Sequence, residues 1–284
     1  MNRPLFLPSD APLPAPDPVP TLLRDLVHER IGIYFENARL DTLLEKLEDR
    51  ARAHGCKSFL DYYYILKYEE KGPDEWLRVM DAFSVQETYF WRELDQINAL
   101  VNIVVPAWFE HNRGTLRIWS AACATGEEPY SIAIALKEAG FGDHPIEINA
   151  SDASEAALSK ARAGVYRERS FRSLPFHLRE KYFTAGPNGF TLDPAIAARV
   201  NFHWANLVST EKTRDLARSF VIFCRNVFIY FSPSAIKRTV EDFADSMPPD
   251  GHLFIGASES LLKLTTRFDL REIGGAFVYV KTES

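Results

Sequence analysis

Between residues 21 and 90 the apolar residues recur at helical spacing. Thr21 is placed to cap a first helix whose Leu22, Leu23, Leu26, Val27 and Ile31 share a face. Leu40, Leu43, Leu44 and Leu47 mark a second, spanning 39–54 and stopped near Gly55. Ser58 caps a third carrying Phe59, Leu60, Tyr63, Tyr64 and Leu66, and Asp74 a fourth carrying Trp76, Leu77, Val79 and Met80. After residue 90 a helix with Ile97, Leu100, Val101, Val104 and Val105 leads into a different pattern. Short apolar strands at 115–121, 146–150, 220–224 and 251–257 alternate with helices at 127–139, 154–163 and 234–246. That alternation predicts a mostly parallel, doubly wound α/β sheet. The end of the chain breaks it: 268–273 and 276–281, joined by Gly274-Gly275, read as an antiparallel hairpin. From about 165 to 201 the alternation lapses among glycines and prolines, which predicts a small insertion. Seven of the seventeen prolines fall within residues 1–20, so that stretch reads as an extended tail. The expected organisation is a Pro-rich tail at 1–20, a small all-α domain at 21–90 and an α/β domain at 91–284.

Composition narrows the function classes. At 284 residues, 46% hydrophobic and 25% charged, the chain is of ordinary globular type. No apolar run is long enough to span a bilayer, and residues 1–20 lack the basic start and apolar core of a signal peptide. A net charge of −6 is a poor match for a phosphate backbone, so no nucleic-acid partner is expected. The three cysteines, Cys56, Cys123 and Cys224, are far apart and form no CxxC, and the seven histidines show no ligand spacing. Neither a disulfide framework nor a metal site is expected, and a reducing, cytoplasmic setting fits best.

The chemistry is carried by the turn after Trp119, which runs Ser120-Ala121-Ala122-Cys123-Ala124-Thr125-Gly126-Glu127-Glu128-Pro129-Tyr130-Ser131. A strand, a turn of small residues and a helix make a cofactor site, because small side chains let a ligand approach the backbone. The turn is neither GxGxxG nor a Walker loop. Glu127 and Glu128 stand where a pyrophosphate would lie and would repel it. A cationic or neutral nucleoside suits the site better. Asp152, at the end of the next strand, is placed to accept ribose hydroxyls, or else to cap the following helix.

These strings resemble the CheR family, the chemotaxis-receptor glutamate O-methyltransferases that use S-adenosylmethionine. The resemblance covers about residues 20–281. It rests on Glu87-Thr88-Tyr89-Phe90-Trp91-Arg92, on 119–131, on Ala150-Ser151-Asp152 with Ala161-Arg162-Ala163-Gly164-Val165-Tyr166, and on Phe223-Cys224-Arg225-Asn226-Val227-Phe228-Ile229-Tyr230-Phe231 with Ser258-Glu259-Ser260. It implies a class I methyltransferase-like seven-stranded sheet with a C-terminal antiparallel hairpin and a small antiparallel β insertion. It implies that Glu128, Asp152, Asn206, Leu207, Arg225 and Asn226 hold the cofactor, Asp152 at its ribose. Thr88 and Arg92 would close over the methionine end, with Arg92 and Tyr230 beside the reacting centre. Gln86, where relatives carry Asn, would be a weaker contact. The implied reaction gives a glutamate methyl ester and S-adenosylhomocysteine. The implied partner is the cytoplasmic coiled-coil region of a methyl-accepting receptor, docked by the helical domain, in signal transduction and receptor adaptation.

Two departures qualify those expectations. In relatives helix 39–54 presents a strongly basic face, but here Arg39, Lys46, Arg50 and Arg52 are mixed with Glu45, Glu48 and Asp49, so steering should be weaker. The insertion turn Ala185-Gly186-Pro187-Asn188-Gly189 is shorter than in relatives that capture a receptor tail peptide, so no dependence on such a tail is expected. Two rivals remain at this point. A nicotinamide oxidoreductase is disfavoured by the missing GxGxxG. A non-catalytic receptor-binding module is disfavoured by the retained Thr88, Arg92, Glu128, Asp152, Asn226 and Tyr230.

Overall fold

The computed structural model describes residues 12–70, 72–111 and 114–282. They divide into two units, one ending at Phe83 and the other starting at Ser84, so residues 84–90 go with the second unit.

The first unit is all-helical: α1 (Val19–Ile31), α2 (Leu40–Ala53), α3 (Phe59–Tyr68) and α4 (Gly72–Phe83). Helix α1 starts earlier than Thr21, with Pro18 in the cap position and Pro20 in its first turn. Proline is tolerated there because the first N–H groups have no intrahelical partner. Residues 12–18 are also not a free tail. The Leu13 N–H donates to Glu48 Oε1 at 3.1 Å, and the Pro14 carbonyl accepts from the Phe59 N–H at 2.9 Å. Pro4 and Pro8 lie outside the described residues. Ser58 and Asp61 form a reciprocal capping box at the start of α3, as the sequence predicts for Ser58. Leu23, Val27, Leu43, Leu47, Tyr62 and Val79 are fully buried between the helices.

The basic residues of α2 are not free for a partner. Arg50 forks onto Glu75 of α4, with Nε to Oε1 at 2.9 Å and Nη2 to Oε2 at 2.6 Å. Arg52 pairs with Glu48 one turn back, and Lys46 lies over the Phe83 ring. His54 Nε2 sits 2.7 Å from Glu75 Oε2, and the Tyr62 hydroxyl donates to Glu75 Oε1 at 2.6 Å.

The second unit opens with α5 (Leu94–Ala99), a π-helical turn over Leu100–Val104, and α6 (Val105–His111), where the sequence predicts one continuous helix. Then come β1 (Leu116–Ala121), α7 (Glu127–Glu138), β2 (Ile146–Asp152) and α8 (Glu155–Ala163). The insertion holds β3 (Val165–Tyr166), α9 (Phe176–Tyr182), β4 (Phe183–Gly186), β5 (Gly189–Leu192) and α10 (Pro194–Ala197). The main fold resumes with β6 (Val200–Trp204), α11 (Thr210–Thr213), β7 (Val221–Cys224), α12 (Pro233–Ser246), β8 (His252–Phe254), β9 (Phe268–Ile273) and β10 (Ala276–Lys281).

Seven strands form one sheet in the order β6-β2-β1-β7-β8-β10-β9. It is parallel except at β10, which runs antiparallel to β8 and β9. The doubly wound sheet and its terminal hairpin are as the sequence predicts. The edge strand β6 is the element that pattern reading missed, so the insertion closes before Val200. Its own three strands pair antiparallel in the order β3-β5-β4. Gly189 makes the β4–β5 turn possible: its φ is 131°, and a Cβ there would lie 2.4 Å from the Tyr166 carbonyl oxygen. Register sets Ala121 beside Ser151 on one side and Cys224 on the other. The C-terminal ends of β1, β2 and β7 are therefore level, which is where open α/β sheets bind ligands. Among the described residues no helix is long and apolar enough to cross a membrane.

Candidate active site

A small cleft, open to solvent, lies at those strand ends. It is lined by Thr88 and Arg92 before α5, by Ala122, Cys123 and Ala124 after β1, by Glu128 in α7, and by Arg225 and Asn226 after β7, with Val85 and Glu87 at its mouth. Of the residues predicted from sequence, the structure thus brings together Thr88, Arg92, Glu128, Arg225 and Asn226.

The wall is built at a conformational cost. Trp91, Glu93, Ala122, Ala124 and Asn226 all have φ between 48° and 65°, a region non-glycine residues rarely enter. Each costs on the order of 1–3 kcal/mol and persists only where its surroundings enforce it. All five line or flank the cleft. Gly126 completes the turn at φ 92°, where a Cβ would meet that of Ala161 at 2.9 Å.

Glu128 is the central charge. Its Oε1 accepts from the Ser120 hydroxyl at 2.6 Å, and Arg225 Nε lies 2.8 Å from its Oε2. Burial lifts this carboxyl above the usual carboxylate range, outweighing Arg225 and Ser120, and the nearby Glu93 adds to the rise. The Arg225 guanidinium is a hub: Nη2 donates to the Arg92 carbonyl at 2.8 Å and Nη1 to Gln96 Oε1 at 3.2 Å. Asp152 is the strut between two loops. Its Oδ2 accepts from the Ala124 N–H at 2.9 Å and its Oδ1 from the Ser154 N–H at 2.8 Å. Asp152 is buried and is not itself part of the cleft lining, but the Ala124 that it holds is.

Glu127, which the resemblance leaves out of the cofactor set, is engaged elsewhere. Its oxygens accept from the Thr125 and Ser170 hydroxyls, at 2.6 and 3.0 Å, and it does not line the cleft. It pins the turn to the insertion, and Ser170 in turn accepts from the Phe90 N–H.

Other predicted residues stand outside the cleft lining. Gln86 accepts from Lys160 Nζ at 2.7 Å in an exposed pair. Asn206 and Leu207 follow β6, both buried, with Asn206 Oδ1 accepting from the Val208 N–H at 3.3 Å. Tyr230 closes a short 3-10 turn after the Asn226 loop and is half-buried. Cys123 and Cys224 are buried thiols whose pKa is driven well up by burial, which fits packing rather than nucleophilic roles.

Sequence reasoning gave no role to Glu259, although it quoted the string that contains it. Its Oε2 accepts from the N–H groups of Asn226 and Gly256, at 2.9 and 2.7 Å, and its Oε1 from that of Ile229 at 3.2 Å. It clamps the left-handed Asn226 loop. Only the distance in sequence between 226 and 259 hid it.

Comparison with known proteins agrees with this geometry. Residues 21–84 match the CheR methyltransferase all-alpha domain and residues 86–276 the CheR methyltransferase SAM binding domain. The chain is similar to "Chemotaxis protein methyltransferase 2" of Vibrio cholerae, 36% identical over 262 residues covering 91% of each chain. It is similar also to "Chemotaxis protein methyltransferase" of Salmonella typhimurium, 34% identical with 87% and 85% covered, and to that of Escherichia coli, 32% identical with 88% and 86% covered. Two domain matches in this order, and relatives aligned almost end to end, place the chain in the CheR family of S-adenosylmethionine-dependent methyltransferases.

Proposed function

We propose that the protein transfers the methyl group of S-adenosylmethionine to glutamate side chains of a methyl-accepting chemoreceptor in the cytoplasm, leaving S-adenosylhomocysteine. The observation that carries this reading is the gathering of Thr88, Arg92, Glu128, Arg225 and Asn226 around one cleft at the strand ends. The cleft fits the cofactor. Its small-residue turn admits a nucleoside, and a carboxylate wall suits a ligand whose sulfonium and amino groups are cationic. Asp152 holds the ribose. Asn206 and Leu207 lie on the adenine side, Thr88 and Arg92 at the methionine end, with Gln86 a peripheral contact.

S-adenosylmethionine brings an activated methyl group; binding and alignment fall to the side chains. A glutamate acceptor, with an ordinary pKa of about 4.3, is already an anion at neutral pH, so no general base is needed. Alignment of acceptor and donor can supply roughly 7–11 kcal/mol. Arg92 is the residue suited to hold the acceptor. Its Nη1 donates to the Glu87 carbonyl at 3.0 Å, and among the described residues it forms no ion pair with Glu93 or Asp95. Its charge therefore remains available to a carboxylate at the cleft. Tyr230 orients the acceptor as a hydrogen-bond donor. The helical unit docks the receptor's coiled coil, and the two-residue Pro187-Asn188 turn leaves little to grip a receptor tail peptide.

The test is calorimetric titration with S-adenosylmethionine and S-adenosylhomocysteine, NAD serving as control. It is followed by transfer of labelled methyl groups to receptor-bearing membranes, scored as alkali-labile ester. Both adenosyl ligands should bind and NAD should not. Asp152→Ala should weaken binding tenfold or more, about 1.4 kcal/mol. Binding without transfer would favour the receptor-binding module, and alkali-stable label would refute carboxylate methylation.

A further inference from the structure

The insertion concentrates positive charge that the rest of the chain lacks. Residues 165–201 hold six Lys or Arg against three Asp or Glu, in a chain of net charge −6. Part of that charge is neutralised locally, as where Arg179 pairs with Glu168 and Lys181 with Glu138. Arg167, Arg169 and Arg172 are exposed. Arg172 reaches the mouth of the cleft: its Nη2 lies 2.8 Å from Glu87 Oε1, and its guanidinium stands 3.7 Å from the centre of the Tyr89 ring. Arg92, inside the cleft, stands 5.7 Å from the same ring. Tyr89 is thus shared by an arginine of the cleft and an arginine of the insertion, and the cleft continues into a cationic rim. Arg167 and Arg169 form no ion pair among the described residues, and Arg169 adjoins Ser170, whose hydroxyl donates to Glu127 and whose carbonyl accepts from the Phe90 N–H.

We propose that this rim, Arg167, Arg169 and Arg172, docks the acidic segment that surrounds the target glutamate and so sets acceptor specificity. The inference rests on the carboxylate-methylation reading and adds where the acceptor is gripped. Charge complementarity selects the occupant. A segment rich in glutamate would meet opposite charge at the rim, which favours its encounter there.

The experiment is fluorescence anisotropy of the full chain with a labelled Glu-rich peptide and its Gln-rich counterpart, at low and physiological salt. S-adenosylhomocysteine affinity is measured in parallel. Wild type should bind the Glu-rich peptide, more weakly as salt rises, and not the Gln-rich one. R167E/R169E should weaken that binding about tenfold or more, and R167A/R169A less, because rim charges mainly act through electrostatic attraction. Both variants should keep S-adenosylhomocysteine affinity within about twofold, which also reports an intact fold. Equal binding of the two peptides, no binding of either, or unchanged binding by R167E/R169E would overturn the rim as a docking surface. Loss of S-adenosylhomocysteine binding by wild type would instead refute the reading of the cleft.

Discussion

Glu75 in the helical unit, which is buried, and Glu128 in the α/β unit, which is largely so, each pack against an arginine, and they are finished differently. Around Glu75, burial favours the neutral acid, but the Arg50 fork, the Tyr62 hydroxyl and His54 outweigh it and hold the carboxyl below its usual range. Around Glu128, burial wins and the carboxyl is pushed up. Glu75 has its partners inside the protein. Glu128 has Ser120 and Arg225 on one side and a cleft on the other, flanked by left-handed residues. The first arrangement is closed and serves the fold. The second is held at a conformational cost that a bound ligand can offset, since a ligand that binds only the folded state stabilises it. The same kind of ion pair is thus structural in one unit and a site in the other, and what separates them is whether the last partner belongs to the chain.

The largest test of that contrast is Glu75→Ala. It leaves Arg50 without its carboxylate and should remove about 3–5 kcal/mol of unfolding free energy, measured by denaturant titration. A loss under about 1 kcal/mol would mean that the network is not structural. The pH dependence follows in sign. Because the folded pKa of Glu75 lies below its unfolded value, its contribution is complete above about 4.3 and fades as the pH falls below it. The stability gap between wild type and Glu75→Gln should therefore narrow on acidification; a constant gap would contradict the assignment. Next in size is Glu259→Gln, which weakens the clamp on the Asn226 loop. S-adenosylhomocysteine affinity should fall about tenfold, roughly 1.4 kcal/mol, with a smaller effect on melting. An equal loss in stability, with affinity kept, would make Glu259 a fold residue only. The smallest effect belongs to Arg52→Ala, which removes a partly exposed pair one helical turn long and should cost about 0.3–0.5 kcal/mol.

The terminal hairpin was legible residue for residue, because two short runs rich in strand-forming residues flank Gly274-Gly275, a pair suited to a tight turn. The edge strand Val200–Trp204 was not, because it follows directly on the insertion and its Asn201 and His203 face outward. Spacing placed Arg50 on the polar side of α2, but nothing local reveals Glu75, 25 residues further on. Adjacent helix residues point about 100° apart, so spacing alone did not separate Glu127 from Glu128, and only the resemblance singled out Glu128. The TGEEPYS and CRNV strings located the cleft because its walls are short continuous loops. The clamp by Glu259 and the hub contacts of Arg225 to Gln96 and to the Arg92 carbonyl depend on tertiary closure, which no spacing reports.

The start of the insertion is tied to the end of its last strand, where the Leu192 N–H donates to the Gly164 carbonyl at 2.9 Å. Its inner residues, Tyr166, Phe171, Leu174 and Phe183, share the main core, with Phe90 stacked on Phe171. Its outer residues alternate with them and touch solvent. After gene duplication, a copy could be readdressed by changes at a few outward positions while the inward ones kept the catalytic frame.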